Sequence, residues 1–212
     1  MATKIYAVRK GHTTGIFNTW DECKKAVDGF RGAEFKSFKK IENANAYLNY
    51  EDVAQISIDN VMDIAASSGT IIAYVDGSYS KKINKYAFGC IIITPNREMV
   101  SENGYGDDPD AIAINNVAGE LKAAMFAARW AIKKGFKKLE IRHDYVGIAK
   151  WATGEWKANN ETVKKYVGEM QRLGKLLNIS FIKVDAHSGD PLNDEADKLA
   201  REALEEHDSQ PC

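Results

Sequence analysis

The chain has 212 residues, of which 44% are hydrophobic and 28% charged, with only 4 prolines and 16 glycines. These proportions are typical of a folded globular protein and exclude collagen-like, low-complexity and wholly disordered chains. No apolar run approaches the roughly 20 residues that a membrane-spanning helix needs. The length predicts one domain of ordinary size with a small second unit.

The net charge of -1 is unevenly distributed along the chain. Residues 1–50 carry nine basic and five acidic side chains, and residues 51–70 carry four acidic side chains and no basic ones. A basic segment that also contains aromatic residues is typical of a unit that meets a polyanion. An ordinary solvated surface explains the same excess of positive charge equally well.

The three cysteines and the first residues of the chain indicate the cellular compartment in which we expect the protein. Cys23, Cys90 and Cys212 are odd in number and lack C-x-x-C spacing, which argues against a disulfide framework and against a zinc knuckle. The opening sequence, MATKIYAVRKG, contains no apolar segment of a signal peptide. We therefore expect free thiols and a cytoplasmic protein.

The first fifty residues predict a small ββαβα domain. Two short apolar runs joined by a turn indicate a hairpin. Thr19 is placed to cap a helix over about 20–28, residues 33–38 alternate as in a third strand, and residues 41–50 have helical spacing. Fewer than fifty residues can form only a thin core.

Residues 51–69 are acidic and end in small residues, which predicts a linker. Beyond it, residues 70–212 predict a second domain with a mixed five-stranded sheet and flanking helices, because three strands are followed by strands that alternate with helices. In chain order, the predicted elements are strands at 70–78, 86–94 and 98–106, a helix at about 115–134, a strand at 138–143, a helix ending at 151, a helix at about 161–177, a strand at 179–187 and a helix at 191–206.

Four carboxylates occupy positions where a solvated charge is not expected. Asp76 and Asp144 each end an apolar strand, Glu120 lies in a helix rich in alanine and leucine, and Asp197 lies beside Ala196 in the last helix. An unpaired carboxylate among apolar neighbours is costly and usually meets a cation. Each residue alone is more simply explained by turn chemistry or by a solvated helix face, but the four together indicate a cation site.

Four segments of the second domain resemble the signature blocks of type 1 ribonuclease H. They are VDGSYS at 75–80, NNVAGELKAA at 115–124, HDY at 143–145 and AHSGDPLNDEADKLAR at 186–201. The last block is the most specific because it matches in length, order and residue type. The resemblance covers about residues 70–206 and implies an RNase H-like fold.

The resemblance also implies roles for individual residues. His187 would assist proton transfer or product release, Asn116 would contact the nucleic-acid backbone, and Asn193 holds its place in the last block. A set of carboxylates without cysteine or clustered histidine suits two Mg²⁺ ions, or Mn²⁺, better than zinc. The implied metal-binding and catalytic carboxylates are Asp76, Glu120, Asp144 and Asp197.

Residues 6–38 resemble the hybrid-binding domain, related to a caulimovirus viroplasmin module, that precedes many type 1 ribonucleases H. The resemblance implies nucleic-acid contacts by Tyr6, Trp20, Phe35 and Lys36, with Ser37 where a second lysine is usual. Aromatic rings among cations can lie against sugars or bases while the cations hold phosphates. For Trp20 alone, a place in the small core is an equally good explanation.

We therefore expect a monomeric, metal-dependent endoribonuclease that cuts the RNA strand of RNA/DNA hybrids, leaving 5′-phosphate and 3′-hydroxyl ends, with no membrane partner. The segment WATGEWKANNE at 151–161 is short and has one lysine, so the N-terminal domain is expected to supply substrate affinity. One alternative is a hybrid-binding protein with an inactive domain, which the complete acidic set and His187 disfavour. Another is an exonuclease or integrase-type nuclease of related fold, which the N-terminal domain disfavours.

Overall fold

A computed structural model describes residues 4–185 and 190–208. The chain forms two compact units, Met1–Ser57 and Ile58–Cys212. The second unit contains all four of the carboxylates singled out from the sequence.

The first unit confirms the predicted ββαβα order. Its elements are β1 (Ile5–Lys10), β2 (Gly15–Phe17), α1 (Trp20–Val27), β3 (Glu34–Phe38) and α2 (Ile41–Leu48). The strands form an antiparallel sheet in the order β2-β1-β3. Helix α1 begins with a capping box, in which the Thr19 hydroxyl accepts from the Glu22 backbone N–H and the Glu22 carboxylate accepts from that of Thr19.

The core of the first unit is thin and lies around β1. Ala7 and Val8 are fully buried on this central strand, and Val8 packs with Cys23 and Ala26 of α1. Cys23 is a buried free thiol. A core of this size leaves several large aromatic side chains of the unit at the surface.

The segment predicted as a linker is a helix, α3 (Tyr50–Ser68). The division between the two units falls within it, between Ser57 and Ile58. In its C-terminal half, Val61 and Ala65 are buried in the core of the second unit. They stand four residues apart, which places them on one face of the helix, so Ala65 is a packing residue of this helix, whereas Ala66, Ser67 and Ser68 are exposed.

The second unit is built on a mixed five-stranded sheet, as predicted. Its strands are β4 (Ile71–Ser80), β5 (Lys85–Ile93), β6 (Met99–Gly106), β7 (Lys138–His143) and β8 (Asn178–Lys183). The order across the sheet is β6-β5-β4-β7-β8. Strands β4, β5 and β6 pair antiparallel, whereas β7 runs parallel to both β4 and β8, so β4, β7 and β8 run in the same direction.

Helices cover both faces of this sheet. They are α4 (Pro109–Ile112), α5 (Asn116–Lys133), α6 (Gly147–Ala152), α7 (Glu161–Gly174) and α8 (Pro191–Asp208). Helices α5 and α7 pack on one face, against alternate residues of β4 such as Ala73 and Val75. Helix α8 and the end of α3 pack on the other face, against Ile72 and Tyr74. Like α3, the short helix α4 is an element that the sequence patterns did not predict.

Among residues 4–185 and 190–208, no helix is both long and apolar enough to span a bilayer.

Candidate active site

Two of the predicted carboxylates are placed by neighbouring parallel strands. Tyr74 of β4 pairs with Arg142 of β7, and Asp76 and Asp144 each follow two residues later. Side chains two residues apart on a strand point to the same face. The parallel register therefore brings Asp76 and Asp144 to the same edge of the sheet, where the ligand sites of open α/β sheets are found.

Glu120 reaches this edge from α5, and two glycines allow the helix to come close. A Cβ atom at Gly119 would meet the Ala87 carbonyl oxygen and would lie 2.8 Å from the Gly77 Cα. A Cβ atom at Gly77 would lie 2.6 Å from the Glu120 backbone nitrogen. Backbone therefore lies against backbone at this point, which places the Glu120 side chain beside Asp76 of β4.

The three carboxylates form a tight, largely buried cluster. One carboxylate oxygen from each of Asp76, Glu120 and Asp144 lies within 4.8 Å of the other two. Asp76 is 8% exposed and Glu120 only 1% exposed. The Gly77 backbone N–H donates to Asp76 Oδ1 at 2.6 Å, which orients that carboxylate.

Burial and mutual repulsion oppose ionisation in this cluster. Desolvation, followed by the Asp144 charge, raises the pKa of Asp76 to about 7, against the opposing effect of the Gly77 N–H. Desolvation, the Asp144 charge and the Asp76 charge raise the pKa of Glu120 to about 9. Three carboxylates can be ionised together here at neutral pH when positive charge enters the site.

The donors fit a hard divalent cation. They are all carboxylate oxygens, which Mg²⁺ and Mn²⁺ prefer over the nitrogen and sulfur ligands typical of zinc sites. Glu120 Oε2 is buried and has no hydrogen-bond partner among the described residues, which leaves an acceptor free to bind a metal ion. The residues that would hold the ion are Asp76, Glu120 and Asp144.

Asp197 approaches the cluster from α8, on the face of the sheet opposite to α5. Its charge contributes to the raised pKa of Asp76, so it lies close, although it is not one of the three mutually adjacent residues. Its carboxylate pairs instead with Arg201, at 2.7 Å on the same helix. A Cβ atom at Gly89 of β5 would meet the Ala196 carbonyl oxygen, so a third glycine allows α8 to lie close to the sheet.

The remaining predicted residues of this domain are placed as follows. Asn116 is exposed in the first turn of α5, and its Nδ2 donates to Glu120 Oε1 at 3.4 Å, so it is adjacent to the cluster. Asn193 is 4% exposed, and its Oδ1 finds no partner within the described part of the chain. His187 lies outside the described residues.

An aromatic surface in the first unit contains three of the residues predicted to contact nucleic acid. The Trp20 ring centroid lies 5.6 Å from that of Tyr6 and 5.8 Å from that of Phe35. Trp20 is 45% exposed and Phe35 is 41% exposed, so Trp20 is a surface residue rather than a core residue. Lys36 is exposed and follows Phe35 on β3, where alternation directs it to the other face of the strand.

Sequence reasoning missed the close-approach glycines and a polar group beneath the cluster. Gly77 follows Asp76 and Gly119 precedes Glu120, so a glycine beside each of these two predicted ligands was a signal for backbone contact. Tyr74 is fully buried, and its hydroxyl accepts from Arg142 Nη1 at 2.7 Å. One tyrosine in an aliphatic strand was the only hint of this contact.

Comparisons with known proteins agree with this architecture. Residues 68–205 match the family model for RNase H, and residues 4–48 match that for the Ribonuclease H1 N-terminal domain. The chain is 26% identical to human Ribonuclease H1 over 258 residues, which covers 95% of this chain and 90% of the human one.

Solved structures resemble the second unit. RNase H1 from Halobacterium salinarum NRC-1 is 25% identical, with a TM-score of 0.55 over 65% of this chain and 99% of its own. LC11-RNase H1, solved in complex with an RNA/DNA hybrid, shares the fold at 19% identity, with a TM-score of 0.55 over 66% of this chain and 100% of its own. The carboxylate cluster, the sheet that positions it and the matched family model lead to one conclusion: this chain belongs to the RNase H family and is an endoribonuclease of that family.

Proposed function

We propose that this protein hydrolyses the RNA strand of RNA/DNA hybrids with divalent metal ions, leaving 5′-phosphate and 3′-hydroxyl ends. The observation that carries the proposal is the cluster of Asp76, Glu120 and Asp144, whose carboxylate oxygens lie within 4.8 Å of one another. In an RNase H chain, such a cluster at the edge of the sheet is suited to hold the ions that phosphodiester hydrolysis requires.

The metal requirement follows from the charges of the substrate and of the protein. Substrate phosphate and protein carboxylates are both negative, so they repel one another without an intervening cation. When bound, two Mg²⁺ ions, or Mn²⁺ in their place, would supply charge stabilisation at the phosphate and would lower the pKa of the attacking water. Asp76, Glu120 and Asp144 would hold the ions, and Asp197 adds a fourth carboxylate beside them.

The bond changes determine the products. Water attacks the phosphorus atom in line with the O3′ leaving group, so the P–O3′ bond breaks as a new P–O bond forms. The O3′ atom takes a proton and becomes a hydroxyl, while the phosphate remains on the 5′ oxygen of the next nucleotide. We assign to Asn116, which is exposed beside Glu120 at the start of α5, the role of contacting the substrate backbone.

Recognition of the hybrid is proposed to begin at the aromatic surface of Tyr6, Trp20 and Phe35. Exposed rings can stack on sugars or bases, and the excess of basic residues in positions 1–50 attracts phosphates. The 2′-hydroxyl groups in the wide minor groove distinguish the RNA strand of a hybrid. The match to the Ribonuclease H1 N-terminal domain and the hybrid bound to LC11-RNase H1 support this assignment.

The decisive test uses an end-labelled RNA/DNA hybrid beside single-stranded RNA, double-stranded RNA and double-stranded DNA. Each substrate is incubated with Mg²⁺, with Mn²⁺ or with EDTA, and the product ends are identified by their susceptibility to phosphatase and ligase. We expect cleavage confined to the RNA of the hybrid, abolished by EDTA, with ligatable ends. Hybrid binding without cleavage in either metal would overturn the proposal, as would cleavage of DNA.

A further inference from the structure

Asp144 is the one carboxylate of the cluster that lies outside a regular element. Asp76 lies within β4, where it pairs with Gly89 of β5, and Glu120 lies within α5. Strand β7 ends at His143, so Asp144 is the first residue of the connection to α6. The element that carries the other two carboxylates fixes their backbone, whereas Asp144 needs contacts of another kind.

The side chain of His143 supplies such a contact. Its Nδ1 lies 2.9 Å from the Tyr145 carbonyl oxygen, and because a carbonyl can only accept, Nδ1 carries the proton and donates. The hydrogen bond joins the residue before Asp144 to the residue after it. It therefore restrains the backbone of Asp144, and that backbone sets the direction of the carboxylate.

Both ends of this hydrogen bond are held by neighbouring elements. The His143 carbonyl accepts from the Val184 backbone N–H at 2.9 Å, just beyond the last residue pair of β7 and β8. The Tyr145 carbonyl also accepts from the Ile148 backbone N–H at 3.2 Å, in the first turn of α6. The His143 side chain thus connects the end of the sheet to the start of α6 across Asp144.

Packing alone does not explain a histidine at this position. His143 is 1% exposed, and its ring lies edge-on to that of Phe181. Its Nε2 is buried and has no hydrogen-bond partner among residues 4–185 and 190–208. An unsatisfied buried polar atom costs roughly 1–3 kcal/mol, and a phenylalanine would fill a similar volume without that cost. The Nδ1–H donor is what the histidine adds.

We propose that His143 is a positioning residue for the metal site. Its Nδ1–H, donated to the Tyr145 carbonyl, fixes the Asp144 backbone. The Asp144 carboxylate is thereby held toward Asp76 and Glu120. The expected effect on cleavage rests on the proposed function, whereas metal affinity and the position of the ring proton are measured without substrate.

The test compares two substitutions in the full chain that separate the ring from the donor. His143→Phe keeps an aromatic ring and removes the N–H. His143→Asn removes the ring but keeps a donor, because its Nδ2, like the Nδ1 of histidine, is bonded to Cγ. The Mg²⁺ affinity of the free protein is measured by calorimetry, kcat and KM with the hybrid, and stability by urea unfolding.

The order of metal affinity should be opposite to the order of stability. We expect His143→Phe to weaken Mg²⁺ binding and lower kcat by roughly 10-fold each, with KM unchanged, as for residues that orient metal ligands. It should remain as stable as wild type, because the ring still packs. His143→Asn should keep Mg²⁺ affinity and kcat close to wild type, although it loses stability through the cavity that the ring leaves.

A role in packing alone predicts the reverse, with His143→Phe unimpaired and His143→Asn impaired, and that result would overturn the proposal. An equal loss of Mg²⁺ affinity in the two variants would also overturn it. If His143→Asn does not fold, His143→Phe alone decides, since wild-type Mg²⁺ affinity and kcat in that protein contradict the proposal.

Nitrogen NMR of the wild-type histidines needs no variant to fold. The proposal requires a proton on His143 Nδ1, and a ring protonated only at Nε2 would refute it. A wild-type protein that binds Mg²⁺ but cleaves no hybrid would contradict the proposed function, while the Mg²⁺ affinities of the variants would still decide this inference.

Discussion

Gly119 of α5 lies against Gly77 of β4, so closely that a Cβ atom on Gly119 would be 2.8 Å from the Gly77 Cα. The same atom would overlap the Ala87 carbonyl oxygen of β5. Glu120 is the next residue, and its carboxylate belongs to the proposed metal site. The spacing between helix and sheet is therefore a determinant of the site geometry as well as of packing.

Gly119→Ala is expected to cost both stability and activity. The added methyl group meets backbone that cannot rotate away, so α5 must move, at a cost of roughly 1–3 kcal/mol in the free energy of unfolding. Moving α5 also displaces Glu120, so cleavage of the hybrid should fall. Urea unfolding and initial cleavage rates measure the two effects.

Gly168→Ala on α7 is the matched control, because nothing lies within 4 Å of a Cβ atom there. Alanine is favoured over glycine by up to about 1 kcal/mol in a helix interior. This control should therefore be neutral or slightly stabilising and fully active. Equal behaviour of the two variants would show that the close approach of α5 to β4 is unimportant.

Asp144→Asn is expected to separate cleavage from binding. The substitution preserves size but removes one charge from the proposed metal site, so the cleavage rate should fall at least about 100-fold. Hybrid affinity, measured by fluorescence anisotropy in EDTA, should remain within about twofold of wild type, because the aromatic surface is untouched. Asp63→Asn, which removes an exposed carboxylate paired with Arg97, is the control and should cleave normally.

Much of the fold could be predicted from the sequence because local signals agree with the final packing. Thr19 and Glu22 form the expected cap, and the apolar run at 71–75 forms a strand buried on both faces. Helix α3 escaped prediction because its acidic and small residues are typical of a linker. Its helical packing depends on the burial of Ala65 in the second unit, which is a tertiary contact without a local signal.

The candidate site, like the fold, could be predicted from the sequence only in part. Asp76 and Asp144 could be identified because each follows an apolar run, although β4 continues beyond Asp76 to Ser80, and Glu120 because a charge is costly in an alanine-rich helix. The contact between Tyr74 and Arg142 joins residues 68 positions apart. Single-chain periodicity carries no information on such a pair, since it reports which face a residue occupies but not which distant residue it meets.

Glu120→Gln is expected to make the metal-free protein more stable than wild type, by an amount that increases as the pH rises. The pKa of Glu120 is about 9 in the folded protein and about 4.3 in an unfolded chain. The folded state therefore holds this proton more tightly, so wild-type stability decreases as the pH rises from about 4.3 to about 9. Glutamine cannot ionise, and the variant should gain at least about 2 kcal/mol at pH 8.

Urea unfolding in EDTA at pH 5 and pH 8 measures this difference. The advantage of Glu120→Gln over wild type should be small at pH 5, large at pH 8, and reduced at pH 8 when Mg²⁺ replaces EDTA. Glu98→Gln, which changes an exposed carboxylate, should show no such trend. A pH-independent difference between Glu120→Gln and wild type would contradict the charge repulsion inferred for the cluster.

Trp20→Ala tests whether the aromatic surface of the first unit binds the hybrid. Stacking of a base or sugar on an aromatic ring contributes on the order of 1–3 kcal/mol, so hybrid affinity in EDTA should fall roughly 10-fold. Phe30→Ala is the matched control, because Phe30 is an exposed aromatic residue of the same unit whose ring packs on His12. With substrate well above KM, Trp20→Ala should keep the wild-type kcat, since the carboxylate cluster is unchanged. Equal hybrid affinity for the two variants would remove Trp20 from the proposed binding surface.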